Sequence, residues 1–302
     1  MQSGVGACRN ASPDLIAQLK QSLDKPVDTV ICNVLDADPS IRLCSVLARQ
    51  YPIELIAGIS LISQVCGAGR SWLVVDAQLS PLWMSGLRKI IGRGPSKLIA
   101  IANDYPQADP TLLLYSLLDR RLRPGRLPVE QGVVILDAAA AIAVGRHAIL
   151  DERMSLVPLA VRDHLEKRTH FIIAPVGISL REILRQIGIS CGGAILRGGD
   201  LLRDHQIGPD AVASHSELTI HVSAPEPAIN PEPCIRCGWC VEACPTRVHP
   251  AGLLEAAQRE DTQLAERAGA EACIECGICS YVCPSRLPLL GAARLMREKL
   301  LE

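Results

Sequence analysis

Aromatic residues make up only 3% of this 302-residue chain, and just one of them is a phenylalanine. A motif that requires phenylalanine must therefore find it at Phe171 or go without. Charge of one sign is also lacking. The formal net charge is -1, which removes the electrostatic case for nucleic acid or an anionic membrane as the partner. No apolar run reaches the ~18 to 20 residues that span a bilayer. The longest, 53–67 and 131–145, are too short, and Asp137 interrupts the second, so both read as buried core elements. The N-terminus, "MQSGVGACRNASPD", lacks the charged-then-apolar layout of a secretion signal. A reducing, cytosolic setting is expected, which also suits a protein docked on a membrane from its cytosolic side. The seven histidines show no ligand spacing and no Ser/His/Asp constellation stands out. No catalytic residue is expected.

Apolar residues are plentiful at 48%, enough for a packed core. Residues 27–148 alternate short β-branched runs with helical patterns. "VDTVICNV", "SWLVVDA", "SKLIAIAN" and "GVVILD" read as strands. Between and after them, "SIRLCSVLARQ", "IELIAGISLISQV", "PLWMSGLRKIIG", "PTLLLYSLLDRRL" and "AAAAIAVGRHAIL" read as helices. Strands alternating with helices predict βαβ units and a mostly parallel, Rossmann-like sheet covered on both faces. Residues 1–150 form this α/β domain. A small α+β module follows at 151–222, with "THFIIAPVG", "SLREILRQIG", "GGAILRGG" and "ELTIHVS" as strand, helix, strand and strand. The stretch "SAPEPAINPEP", 223–233, has four prolines and reads as a stiff linker. The remainder, 234–302, is short helices around cysteine-rich runs.

Thirteen cysteines in a reducing setting do not predict disulfides. Five are scattered: Cys8, Cys32, Cys44, Cys66 and Cys191, expected as small buried apolar residues. The other eight fall into two runs. Cys234, Cys237, Cys240 and Cys244 precede Pro245; Cys273, Cys276, Cys279 and Cys283 precede Pro284. Each run is C-x2-C-x2-C-x3-C-P, the bacterial ferredoxin spacing for [4Fe–4S] clusters. Three thiolates from one tight loop reach three corners of a cubane, and the fourth must come from elsewhere. In two-cluster ferredoxins the last cysteine of each run serves the other cluster. This assigns Cys234, Cys237, Cys240 and Cys283 to one cluster, and Cys273, Cys276, Cys279 and Cys244 to the other. Gly238 and Gly277 let backbone N–H groups approach the sulfurs and tune the potential. Zinc also accepts four thiolates, but two complete runs closed by prolines favour iron–sulfur. A single cluster would suffice as a staple; two wired together suit electron transfer.

These runs, "CIRCGWCVEACP" and "CIECGICSYVCPSRLPL", resemble the C subunit of the Rnf electron-transport complex, a relative of the complex I flavoprotein subunit. "RPGRLPVEQGVVILDAAAAIAVGRHAI" and "NDYPQADPTLLL" extend the resemblance over most of the chain, from about residue 4 to 295. It implies that 1–150 is a flavin- and NADH-binding-like domain, and that 151–222 is a β-grasp (SLBB-like) module. It implies FMN and NADH as cofactors beside the two clusters. The family's flavin loop, G-G-A-G-F-P-T, corresponds to "GVGACRNASP", which keeps Gly4, Gly6 and Ala7 but lacks the phenylalanine and the matching proline. Its acidic segment N-A-A-E-C-E-P corresponds to "NVLDADP", with Asn33, Asp36 and Asp38. In relatives those acids help hold flavin and nicotinamide nucleotide. From the residues alone, Asp38 equally suits the cap of a helix beginning after Pro39. The family's segment ahead of the flavin loop is missing, so the sequence resembles a shortened C-type member of the family.

The reading is electron transfer through two [4Fe–4S] clusters by a peripheral subunit of an Rnf-like oxidoreductase on the inner face of the cell membrane. Its implied partners are other subunits of that complex and a redox protein, ferredoxin or flavoprotein; nucleic acid is not among them. The alternatives are an NADH:acceptor oxidoreductase with FMN feeding the clusters, and a cobalamin-reductase-like relative.

Overall fold

The computed structural model describes residues 14–92, 96–153, 155–200, 202–215, 218–225 and 230–301. The chain forms two compact units. The first comprises Met1–Leu122, Leu127–Asp200 and His205–Pro225; the second comprises Arg123–Arg126, Leu201–Asp204 and Glu226–Glu302.

The first unit opens with α1 (Leu15–Gln21), capped by Asp14, whose carboxylate accepts from the backbone N–H groups of Ile16 and Ala17. β1 (Thr29–Asn33) follows, buried at every position. Then come α2 (Leu43–Gln50), α3 (Pro52–Cys66), β2 (Arg70–Asp76), α4 (Pro81–Ile91), β3 (Ser96–Ile101), α5 (Pro110–Leu118), β4 (Val133–Asp137) and α6 (Ala138–Leu150). All four strands are parallel in the order β3-β2-β1-β4. Apolar side chains leave both faces, as a parallel sheet requires. Val30 and Cys32 join one core cluster with Leu55, Ile59 and Ala139. Ile31 and Ile135 join another with Leu113 and Leu114. The expected α/β architecture with a parallel sheet is thus present.

Two helices meet without intervening side chains. A Cβ added at Gly58 of α3 would lie 1.9 Å from the carbonyl oxygen of Ala141, and one at Gly145 of α6 would lie 1.8 Å from that of Glu54. Glycine there lets the two backbones touch.

A second sheet lies in the same unit. β5 (Leu156–Asp163), β6 (Arg168–Pro175), α7 (Leu180–Gln186), β7 (Ile195–Gly198), β8 (His205–Ile207) and β9 (Thr219–Ser223) give the order β6-β5-β9-β7-β8. β5 and β9 are parallel and the other pairs antiparallel. The sequence does not announce β5, because Pro158 interrupts the run of strand formers. Nor does it announce α1 or the three-residue β8.

The second unit holds α8 (Trp239–Glu242), α9 (Pro250–Arg259), α10 (Thr262–Arg267), α11 (Ile278–Tyr281) and α12 (Leu289–Leu301). Leu253, Ala256, Ala265, Ala293 and Met296 form its small core. The bridge between the cysteine runs breaks at Glu260, in the left-handed region at φ 54°, and restarts where Asp261 accepts from the N–H of Leu264. Among the described residues no helix is long and apolar enough to cross a membrane.

Candidate functional site

The two cysteine runs fold alike. Counting from the first cysteine of each, the second following residue is left-handed in both (Arg236 at φ 58°, Glu275 at φ 56°). So is the fourth, Gly238 at 82° and Gly277 at 77°. Arg247 and Arg286, three residues past the last cysteines, repeat the pattern at 57° and 52°. Left-handed residues at every second position turn nearby N–H groups toward one side of the loop, which suits an anionic centre. Two such N–H groups already reach sulfur: Val248 to Cys244 Sγ at 3.3 Å and Glu275 to Cys273 Sγ at 3.4 Å. Each third cysteine then starts out on a single helical turn, α8 or α11.

The runs do not close on themselves. Cys234, Cys237 and Cys240 line one cavity together with Cys283 of the other run. Cys273, Cys276 and Cys279 line a second cavity together with Cys244. Burial pushes the Cys279 thiol up to about 12, reinforced by the neighbouring sulfurs of Cys273 and Cys276. Burial also raises Cys240 and Cys273. Four crowded thiols in a partly buried hollow resist ionisation on their own, and a cationic iron core is what makes thiolates favourable there. The donor set therefore fits iron–sulfur clusters.

Of the scattered cysteines, Cys32 and Cys44 are buried and Cys66 and Cys191 half-buried; Cys8 lies outside the described residues. Burial pushes the Cys32 and Cys44 thiols well up.

Gly4, Gly6 and Ala7 also lie outside the described residues. Asn33 ends β1, fully buried. Its side-chain amide donates to the carbonyl oxygen of Ala108 at 2.9 Å and accepts from the N–H of Leu35 at 3.0 Å. Asp36 accepts from the N–H of Cys44 at 2.5 Å and from the Ser45 hydroxyl at 2.8 Å. Asp38 accepts from the N–H of Ser40 at 2.8 Å and from its hydroxyl at 2.6 Å. The helix cap expected of Asp38 is not formed. α2 begins later, at Leu43, because Arg42 is left-handed at φ 58° and interrupts any helix started after Pro39. Asp38 closes a local turn instead.

Asp36 and Asp38 share a cavity of about 20 Å³ with Asp137 and Asp200. All four are at most 3% exposed. Burial raises both Asp36 and Asp137 to about 6, against hydrogen bonds from Ser45 and Cys44 in one case and from the start of α6 in the other. Among the described residues, one oxygen each of Asp38 and Asp137 is buried without a hydrogen-bond partner. Sequence reasoning does not single out Asp137 or Asp200. The available signal is the position of Asp137 at a strand-to-helix junction. This cavity is water-sized, whereas cofactor pockets run to roughly 300 Å³ or more. The other residues expected to hold flavin, Gly4, Gly6 and Ala7, lie outside the described residues.

Comparison with known proteins adds to this geometry. Residues 5–146 match the family described as the Nuo51 FMN-binding domain, and residues 226–284 match the 4Fe-4S dicluster domain. The C subunit of the Na(+)-translocating ferredoxin:NAD(+) oxidoreductase complex of Acetobacterium woodii is 25% identical over 241 residues, covering 78% of this chain and 54% of that protein. The C subunit of the ion-translocating oxidoreductase complex of Pasteurella multocida is 27% identical over 311 residues, covering 100% of this chain and 36% of its own length. The chain thus spans between a third and a little over half of these relatives. A crystal structure of an NAD+-reducing [NiFe]-hydrogenase in the H2-reduced state shares the fold at a TM-score of 0.59 and 15% identity, covering 98% of this chain and 59% of that one. With a match to the Nuo51 FMN-binding domain followed by a match to the 4Fe-4S dicluster domain, and C subunits of ion-translocating oxidoreductases among its relatives, the chain is similar to those C subunits.

Proposed function

We propose that this chain passes electrons through two [4Fe–4S] clusters as a peripheral subunit of an RnfC-like, ion-translocating oxidoreductase complex. Cys234, Cys237, Cys240 and Cys283 hold one cluster, and Cys244, Cys273, Cys276 and Cys279 the other. The observation that carries this is the sharing of cysteines between the two cavities, three from one run and one from the other in each. Bound there, each cluster would supply one-electron redox chemistry. The protein's part is to hold the thiolates ionised and to aim N–H groups such as those of Val248 and Glu275 at the sulfurs. The crossed cysteines keep the two sites adjacent. The partners in this reading are the membrane subunits of the complex, met on the inner face of the membrane, and a ferredoxin or flavoprotein.

The test is chemical. Anaerobic reconstitution with iron and sulfide should give about eight irons and about eight sulfides per chain, with a broad visible absorption that dithionite bleaches. Tightly bound zinc, or an iron-loaded protein whose absorption dithionite leaves unchanged, would overturn the reading.

A second reading, NADH oxidation through bound FMN, draws on the family match of residues 5–146. Adding FMN and then NADH to the reconstituted protein separates the two. Bleaching by NADH assigns flavin chemistry to this chain. Bleaching by dithionite alone makes the α/β unit a scaffold fed by another protein.

A further inference from the structure

The two runs repeat one backbone path, yet their surroundings differ. Among the described residues, a Cβ at Gly238 would meet nothing within 4 Å. A Cβ at Gly277, the equivalent position, would lie 2.1 Å from the carbonyl oxygen of Leu202 and 3.0 Å from its Cβ. A short segment of the second unit, 202–204, therefore lies directly on the glycine of the second run. α12 ties it down. Arg294 donates through Nη2 to the carbonyl oxygen of Arg203 at 3.0 Å, and through Nε to Glu275 at 3.1 Å. Arg297 donates to the other carboxylate oxygen of Glu275 at 2.6 Å. These are charge-assisted bonds, of the stronger kind, and the charged side chains are only 30–37% exposed. Glu275 is the left-handed residue of the second run. Its counterpart in the first run, Arg236, carries the opposite charge.

Exposure follows the same division. Cys234 and Cys237 are exposed, and Ile235 between them is 68% exposed. Cys276, the counterpart of Cys237, is 8% exposed, and Gly277 is buried. Two loops of one conformation thus present one open and one covered cysteine set.

We propose that 202–204 is a strap that seals the cavity lined by Cys244, Cys273, Cys276 and Cys279, held by Glu275, Arg294 and Arg297 as positioning residues, and that one-electron carrier proteins exchange electrons at the unsealed cavity. A reduced carrier would give up one electron to the cluster held by Cys234, Cys237, Cys240 and Cys283, the carrier being oxidised by one and that cluster reduced by one; the other cluster would then be reduced from within the chain. The strap also withholds water from one site only. Solvent exposure and hydrogen bonding set cluster potentials, so the strap makes the two sites unequal. This proposal rests on the four-iron-cluster reading above.

The experiment follows iron release from the reconstituted protein to a ferrous chelator under anaerobic conditions. Wild type should release its iron in two phases of equal size, about four irons each, with rates at least tenfold apart. Gly277→Ala should speed the slow phase toward the fast one. Gly238→Ala imposes the same left-handed strain in open space, and should leave the slow phase unchanged. Arg294→Gln, which removes the tie without adding bulk, should also speed the slow phase, and it serves if Gly277→Ala does not load iron. A single phase in wild type, or equal effects of the two glycine variants on the slow phase, would overturn the strap. A starting content well below about eight irons would instead overturn the cluster reading.

Discussion

Asp137 closes β4 and opens α6 with one carboxylate. Its Oδ1 accepts from the N–H of Ala140 at 2.7 Å, while its other oxygen is buried with no hydrogen-bond partner among the described residues. Raising a carboxyl from 3.8 to about 6 costs its ionised form about 3 kcal/mol. The folded chain holds this proton more tightly than the unfolded chain does. The cost is therefore absent below pH 3.8, grows as pH rises to about 6, and is constant above that. Asp36 behaves the same way over the same interval. Asn at position 137 keeps an oxygen for the cap and removes the charge, at the loss of some helix-dipole stabilisation. Asp137→Asn should stabilise the first unit by about 1–2 kcal/mol at pH 7.5, less at pH 5. Urea unfolding followed by tryptophan fluorescence at both pH values checks this; a variant less stable at pH 7.5 contradicts it. The sequence shows acids at 36 and 38 but not that 137 and 200 join them, because residues far apart in the chain meet only once the sheet is built.

At the scale of elements, β4 is an edge strand, and an edge leaves a row of unpaired N–H and C=O groups. Gln18 of α1 covers part of it. The Gln18 amide donates to the carbonyl oxygen of Ile135 at 2.8 Å and accepts from its N–H at 2.9 Å, taking the place of a fifth strand. Gln18→Leu leaves both buried backbone groups without that partner and should cost about 2–4 kcal/mol, read as a lowered urea midpoint. The α3–α6 contact makes a second prediction. Gly145→Ala gains about 1 kcal/mol of helix propensity, but its Cβ collides with the Glu54 carbonyl. Parting two helices costs about 1–3 kcal/mol or more, so the variant should be net destabilised. A thermal midpoint equal to wild type would show that the helices part freely. The four parallel strands are legible because buried β-branched runs mark strands. α1 is not, since its purpose is a tertiary contact across 117 residues.

At the scale of the whole molecule, the two cysteine runs depend on one another. Cys283→Ser leaves the first run intact, yet should remove the cluster held by that run, lowering iron from about eight to about four per chain. Cys244→Ser should do the same to the other cluster. If either variant loses the cluster of its own run and keeps the opposite one, the crossed assignment fails. The sequence by itself determined the number and spacing of these cysteines, because three ligands of a cubane must come from one short loop whose geometry is local. It determined the parallel sheet for a similar reason, since β-branched runs and helical periods are written residue by residue. Only the tertiary structure decided which of two equal loops lies beneath Leu202, and that four aspartates meet in a hollow of water size. Those outcomes depend on packing between segments distant in the chain, where neither spacing nor periodicity carries information.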